Sequence, residues 1–207
     1  MKKLFLSLMI AFAGTAAWGQ TAEEIIARMD EVMEAVEDDG MHMKMEMKIP
    51  IIGSMDLEMW TLGERSRMEG RMMGHKLVSF TDEDTEWEYD SKENTVTIST
   101  RKPEEGSDAD NARMFNDITD GYSVKIKKET ATQWILACKK TRENTDKDAP
   151  KNMELVVSKD GYRPVSLSTS VSGVKIVMKD ITMGGVSEEF VTYDASLFPE
   201  AKIVDKR

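Results

Sequence analysis

From Met41 to Ile49 the chain alternates strictly: Met41, Met43, Met45, Met47 and Ile49 are separated by His42, Lys44, Glu46 and Lys48. A period of two puts the apolar set on one face of a strand and the polar set on the other. Pro50 to Ser54 reads as a turn, after which Met55, Leu57 and Met59 alternate with Asp56 and Glu58 on the way back. Such a hairpin is half-buried and needs an apolar partner over its methionine face. The segment before it offers one. Ile25, Ile26, Met29, Val32, Met33 and Val36 recur at helical spacing, with acids on the other side. Thr21 is placed to cap this helix, with Glu24 as its capping-box partner, and Asp38-Asp39-Gly40 ends it.

Further strands are expected at 66–73, 76–81, 85–90, 95–101, 122–128, 133–141, 153–159, 162–170 and 174–183, with tight turns at Ser91 to Asn94 and Asp160-Gly161. Pro103 to Asp110 reads as an acidic loop, Ala109 to Ile118 as a short helix, and Arg142 to Lys151 as an exposed hairpin loop. The closing stretch from Glu189 is mixed, with a short strand expected around Phe190. Strands in succession without alternating helices predict a mostly β fold with some α. The expected form is a large curved antiparallel sheet, or incomplete β-barrel, covered by the N-terminal amphipathic helix. No fixed-period repeat or linker divides the chain, so residues 20–207 are expected to form a single domain.

Residues 1–19 read differently. Met1-Lys2-Lys3 is a basic start, Leu4 to Ala17 is apolar, and Ala17-Trp18-Gly19 fits a small-x-small cleavage site. The apolar run falls short of the roughly 20 residues of a membrane span. It predicts a cleaved export signal, a mature chain starting near Gln20, and a periplasmic location. No Cys lies near the cleavage site, so no lipid anchor is expected there. A formal charge of −10 argues against binding to nucleic acid or adsorption to anionic membranes, and losing Lys2 and Lys3 makes the chain more acidic still. The single Cys138 cannot form an internal disulfide and reads as a buried, inert thiol.

Four segments together resemble the periplasmic lipoprotein carrier (LolA-like) family. The first is the export signal running into the helix from Ala22 to Val36. The second, Met55-Asp-Leu-Glu-Met-Trp-Thr-Leu-Gly-Glu-Arg-Ser-Arg-Met-Glu69, is similar to a family strand with an Arg-aromatic-acid ending; Met68 stands where the aromatic is usual. The third is Thr85-Glu-Trp-Glu-Tyr-Asp90, a turn, and Thr95-Val-Thr-Ile98. The fourth is the closing Tyr193-Asp-Ala-Ser-Leu-Phe-Pro199. A Lys-Arg-Pro step precedes the second segment in the family. Here it is Leu62-Gly63-Glu64-Arg65, with Arg65 the nearest replacement. The resemblance implies a monomeric shuttle that holds lipoprotein acyl chains in a cavity between barrel and helix. It implies an inner-membrane donor protein, an outer-membrane acceptor protein and no cofactor.

The residue chemistry gives a candidate site. The 17 Met outnumber Phe, Trp and Tyr together (6, 4 and 4), and Met side chains repack around variable ligands. Met43, Met45, Met47, Met55, Leu57, Met59, Met68 and Met72, with Trp87 and Tyr89, are the candidate cavity lining; plain core is the competing reading. Ile25, Ile26, Met29, Val32 and Met33 are the candidate lid. Arg65 and Arg67 lie across their strand from Met68 and are candidates for polar contact with a partner or ligand; an ordinary solvated face is the alternative. Copper binding by the Met-x-Met steps is disfavoured, because same-face side chains stand about 6.6–6.8 Å apart along a strand and four cannot converge on one ion. No catalytic constellation is legible: His42 and His75 are isolated, and no nucleophile elbow, metalloprotease helix or phosphate loop is present. A different class also fits this fold, a non-catalytic sensory or protein-interaction module with a filled core.

Overall fold

The computed structural model describes residues 19–51, 53–101, 119–147 and 149–207. The expected signal segment, the acidic loop from Pro103 and the helix expected over Ala109 to Ile118 lie outside the described residues.

Helix α1 spans Ala22–Ala35, and the expected capping box closes it: the Glu24 backbone amide donates to the Thr21 hydroxyl, and the Thr21 amide donates to the Glu24 carboxylate. A single 3₁₀ turn at Glu37–Asp39 and Gly40 lead into the sheet. Twelve strands follow: β1 (Met41–Ile49), β2 (Gly53–Leu62), β3 (Arg65–Met72), β4 (His75–Thr81), β5 (Thr85–Asp90), β6 (Thr95–Thr100), β7 (Tyr122–Glu129), β8 (Gln133–Lys140), β9 (Asn152–Ser158), β10 (Pro164–Val171), β11 (Val174–Met183) and β12 (Lys202–Asp205). They form one open sheet in the order β12-β6-β5-β4-β3-β2-β1-β11-β10-β9-β8-β7. The pairing is antiparallel except for β12, which runs parallel to β6. This is the mostly β, helix-covered, unclosed sheet that the sequence predicts. Near Phe190 the expected strand is instead a short helix, α2 (Glu188–Val191), and the closing strand β12 lies further on.

Register decides what meets what. One row of directly paired residues crosses the whole sheet: Ile126, Leu136, Leu155, Leu167, Met178, Met45, Leu57, Gly70, Leu77, Asp90, Thr95 and Lys202. It is apolar from β7 through β4, except at Gly70, and polar from β5 onward. Helix α1 lies on this face over the apolar stretch. Ile25, Ile26, Met29 and Met33 pack with Met41, Met43, Met59, Trp134, Leu136, Leu155, Leu167 and Met178. Side chains paired across neighbouring strands share a face, so these contacts fix which half of each strand is core.

The other face has its own core at the opposite end of the sheet. Val78 and Phe80 of β4, Trp87 and Tyr89 of β5 and Val96 of β6 face away from α1, since each is one residue out of step with the row above. Residues 186–201 cross this face as a strap. Tyr193 stacks on Trp87 (5.3 Å between centroids), Phe198 stacks on Tyr89 (4.2 Å), and Tyr193 meets Phe80 edge-on (5.8 Å). One turn ties the helix hinge to the strap. Gly40 has φ +79°, and a Cβ there would lie 2.5 Å from the Thr61 carbonyl oxygen and 2.7 Å from Val186 Cβ. Only glycine fits that approach.

Candidate functional site: the methionine wall

The methionines of β1–β3 stand on the α1 face as the alternation predicts, and register brings them together: Met43 pairs with Met59 and Met59 with Met68, while Met47 pairs with Met55. Met43, Leu57 and Met59 are buried; Met45, Met47, Met55 and Met68 are half-buried; Met72 is 42% exposed. The wall therefore grades from a closed end under α1 to an open end at the β1–β2 and β3–β4 hairpins. The groove of about 970 Å³ beside these hairpins lies chiefly on the opposite face, where Lys44, Glu46, Asp56, Glu58, Glu69 and Arg71 line it, and is not the mouth of the wall. Gly70 makes room for Leu57, whose side chain covers it: a Cβ there would fall 2.1 Å from Leu57 Cδ2.

Of the candidate lid residues, Ile25, Ile26, Met29 and Met33 are buried and Val32 is half-buried. The side-chain bonds of Thr21, Glu24, Arg28 and Glu31 stay within the helix. Its contact with the wall is largely apolar, and the Gln20 amide just before the cap donates to the Tyr162 hydroxyl.

Trp87 and Tyr89 do not join the wall. Alternation within β5 places them correctly relative to each other, but β4–β5 pairing sets Trp87 opposite Phe80, on the strap side. The sequence gives no register between distant strands, and a shift of one residue exchanges faces. Arg65 and Arg67 stand on the strap side too. The Arg67 guanidinium donates to the Phe190 carbonyl at 3.2 Å and to Glu69, and lies over the rings of Phe190 (4.2 Å) and Phe80 (5.1 Å). Arg65 pairs with Glu188. Both therefore hold the strap rather than face the wall. Burial tends to raise the Glu69 carboxyl, but hydrogen bonds from Lys76 and Arg67, with their charges, outweigh it and keep the group below its ordinary range.

Two features went unread in the sequence. Thr61, Ser66, Ser79 and Thr81 are buried on the α1 face just beyond the wall, in line with Met41 and Met68 by pairing. The hydroxyls of Ser66, Ser79 and Thr81 have no hydrogen-bond partner among the described residues. A buried orphan hydroxyl costs about 1–3 kcal/mol, so a cluster of three requires a reason. The aromatic strap is the second. His42, expected opposite its methionine neighbours, stacks on Trp60 at 4.8 Å on the strap side. Cys138 lies buried in the α1 core, and burial pushes its thiol up to about 11. Among the described residues no group of three or more His, Cys, Asp or Glu side chains is arranged to hold a metal ion. No helix there is long and apolar enough to cross a membrane.

No family model and no curated protein matches this sequence. Solved structures do. An uncharacterized conserved protein from Thermus thermophilus superposes with a TM-score of 0.51 at 14% identity, over 89% of this chain and 99% of that one. LprF from Mycobacterium bovis gives 0.51 at 9% identity, over 84% and 99%. A LolA superfamily protein from Nitrosomonas europaea gives 0.38 at 11% identity, over 85% and 99%. The likeness is one of fold alone.

Proposed function

We propose that this protein is a periplasmic carrier that takes acyl chains of a lipoprotein between α1 and the methionine wall and shuttles them toward the outer membrane. The observation that carries the reading is the wall itself: unbranched, polarizable side chains on three adjacent strands, under a helix that packs on them through Ile25, Ile26, Met29 and Met33. Entry requires α1 to move about the turn at Gly40, exposing Met43 and Met59. The chains then replace helix contacts with wall contacts, so the exchange is close to balanced and reversible. The orphan hydroxyls of Ser66, Ser79 and Thr81 suit the ester or amide carbonyls that join acyl chains to a lipoprotein's first residue. No bond is made or broken. Residues 1–19 act as the export signal, and hand-over runs through an inner-membrane donor and an outer-membrane acceptor protein.

Burying alkyl chain is worth about 0.8 kcal/mol per methylene, so affinity for acylated peptides should rise up to about fourfold with each added CH₂ until the wall is filled. Native mass spectrometry of the protein purified from its own periplasm tests the reading. Co-purifying lipoprotein or lipid supports it. If nothing co-purifies and added acylated peptide does not bind, the fold serves as a protein-interaction module instead.

A further inference from the structure

On the sheet face turned away from α1, the strands at the β7 end frame a second groove of about 1000 Å³. Lys125 pairs across the sheet with Ala137, Ala137 with Glu154 and Glu154 with Ser168, one residue out of step with the apolar row beneath the helix. Six lysines line the groove: Lys125 and Lys127 of β7, Lys139 of β8, Lys147 and Lys151 of the following loop, and Lys175 of β11. All six are exposed. Glu154 is the one acid among the described lining residues, and it pairs with Lys127 at 2.6 Å. Ser123, Ser168 and Ser170 also line it, and the Ser123 hydroxyl donates to the Lys139 carbonyl at 3.3 Å.

This is a local reversal of the chain's character, since acids outnumber bases 38 to 28 overall. Protection of an exposed sheet edge accounts for lysines on β7, which ends the sheet, but not for those on β8, the loop and β11. Ammonium groups gathered around one concavity repel each other, and that cost is recovered when anions settle among them. Lysine charge beside serine hydroxyl donors is chemistry that suits phosphate oxygens. We infer that this groove docks the protein on the anionic phospholipid headgroups of a membrane surface.

The multiplicity favours a surface over a free anion: six cations from four elements exceed what one phosphate can take up. None of the exposed large hydrophobic residues lies in the lining, so the contact is electrostatic and sits on the membrane without inserting. Net acidity governs approach from afar; within a Debye length of about 8 Å the patch governs docking. The expectation that an acidic chain avoids anionic lipid thus fails on this one face. The inference does not depend on acyl binding under α1.

The test is co-sedimentation of the protein with phosphatidylcholine vesicles, with and without phosphatidylglycerol, at low and high salt. Binding is expected only with phosphatidylglycerol and should weaken steeply with salt. The triple variant Lys125→Glu, Lys139→Glu, Lys175→Glu should lose at least about a hundredfold in affinity. The equally charged variant Lys92→Glu, Lys202→Glu, Lys206→Glu, at exposed sites on the other half of the sheet, should stay within a few-fold. The milder Lys125→Gln, Lys139→Gln, Lys175→Gln should also bind less, which guards against misfolding as the cause. Equal losses in both Glu variants would overturn the inference, as would indifference to phosphatidylglycerol. Displacement of vesicles by inorganic pyrophosphate at matched phosphate would overturn it in favour of a soluble anion. Tighter binding of polyglutamate than of vesicles would overturn it in favour of an acidic protein segment.

Discussion

Under α1, the packing is done by Met29, Met33, Met41, Met43, Met59 and Met178 with leucines from β8–β10. Under the strap, on the opposite face, it is done by Phe80, Trp87, Tyr89, Tyr193 and Phe198, with Arg67 between two rings. Aromatic pairs have preferred geometries, worth about 0.5–1.5 kcal/mol each beyond area, so that core resists rearrangement. Thioether chains have many rotamers and no strong orientation, so the other core can give way and re-form. Polar ties sharpen the contrast. The strap is held by Arg67 to a backbone carbonyl and by Arg65 to Glu188, whereas α1 meets the wall mainly through apolar side chains. One sheet thus carries an aromatic, ion-paired cover on one face and a methionine-rich helical cover on the other, and the proposed carrier role needs the second to move.

The largest effect expected from breaking this contrast is at Phe80, which is fully buried. Phe80→Ala should cost about 3–5 kcal/mol in urea unfolding while leaving acyl affinity per folded molecule unchanged. A loss of affinity equal to that of a wall mutation would erase the distinction between the faces. Arg67→Ala comes next. It removes a charge-assisted hydrogen bond and two ring contacts, so about 2–3 kcal/mol should be lost, with faster hydrogen exchange in residues 186–201 and none added in α1. Arg65→Ala breaks a more exposed pair and should cost no more than about 1 kcal/mol.

On the wall, Met43→Leu and Met59→Leu should each cost less than about 1.5 kcal/mol but narrow the range of acyl lengths accepted, because leucine repacks less freely. Calorimetry across a series of acylated peptides would measure this; an unchanged range makes the methionines plain core. Thr81→Val should leave the ligand-free protein as stable or slightly more so, since it removes an orphan hydroxyl, and a clear loss of stability would mean the hydroxyl is satisfied.

Acid should separate the faces as well. Glu69 is held below its ordinary value, so its contribution is present at neutral pH and is lost as pH falls through its lowered folded value, beneath 4.5. Because Glu69 anchors Arg67, hydrogen exchange in the strap should rise before that in α1 under mild acid. Near neutral pH, a thiol reagent should reach Cys138 only as α1 opens, its thiol being both buried and raised to about 11. Labelling faster than global unfolding marks a moving lid; labelling at the unfolding rate marks a fixed one.

Local periodicity made one of these cores legible and left the other hidden. The capping box, the helix face and the alternation of β1–β3 are all short-range patterns, and each appears where the residues put it. The strap has no period: residues 186–201 mix a four-residue helix, a 3₁₀ turn and bends, and β12 pairs in parallel with a strand about a hundred residues earlier. Trp87 and Tyr89 were readable as a pair facing the same way, but not as facing away from Met43. That depends on the accumulated register from β1 to β5, which turn lengths and distant packing set together. The orphan hydroxyls were hidden for the same reason, since Ser66, Ser79 and Thr81 become neighbours only once β3 and β4 pair.

The central claim, that cargo enters on the α1 face, is tested most directly by quenching with a brominated acyl peptide. Trp134 lies in the α1 core and Trp87 under the strap, so single-tryptophan chains starting at Gln20 report each face separately. With Trp60→Phe and Trp87→Phe in place, Trp134 fluorescence should fall on ligand addition, while Trp87 alone, with Trp60→Phe and Trp134→Phe, should be unmoved. Quenching of Trp87 with Trp134 unaffected would contradict the account.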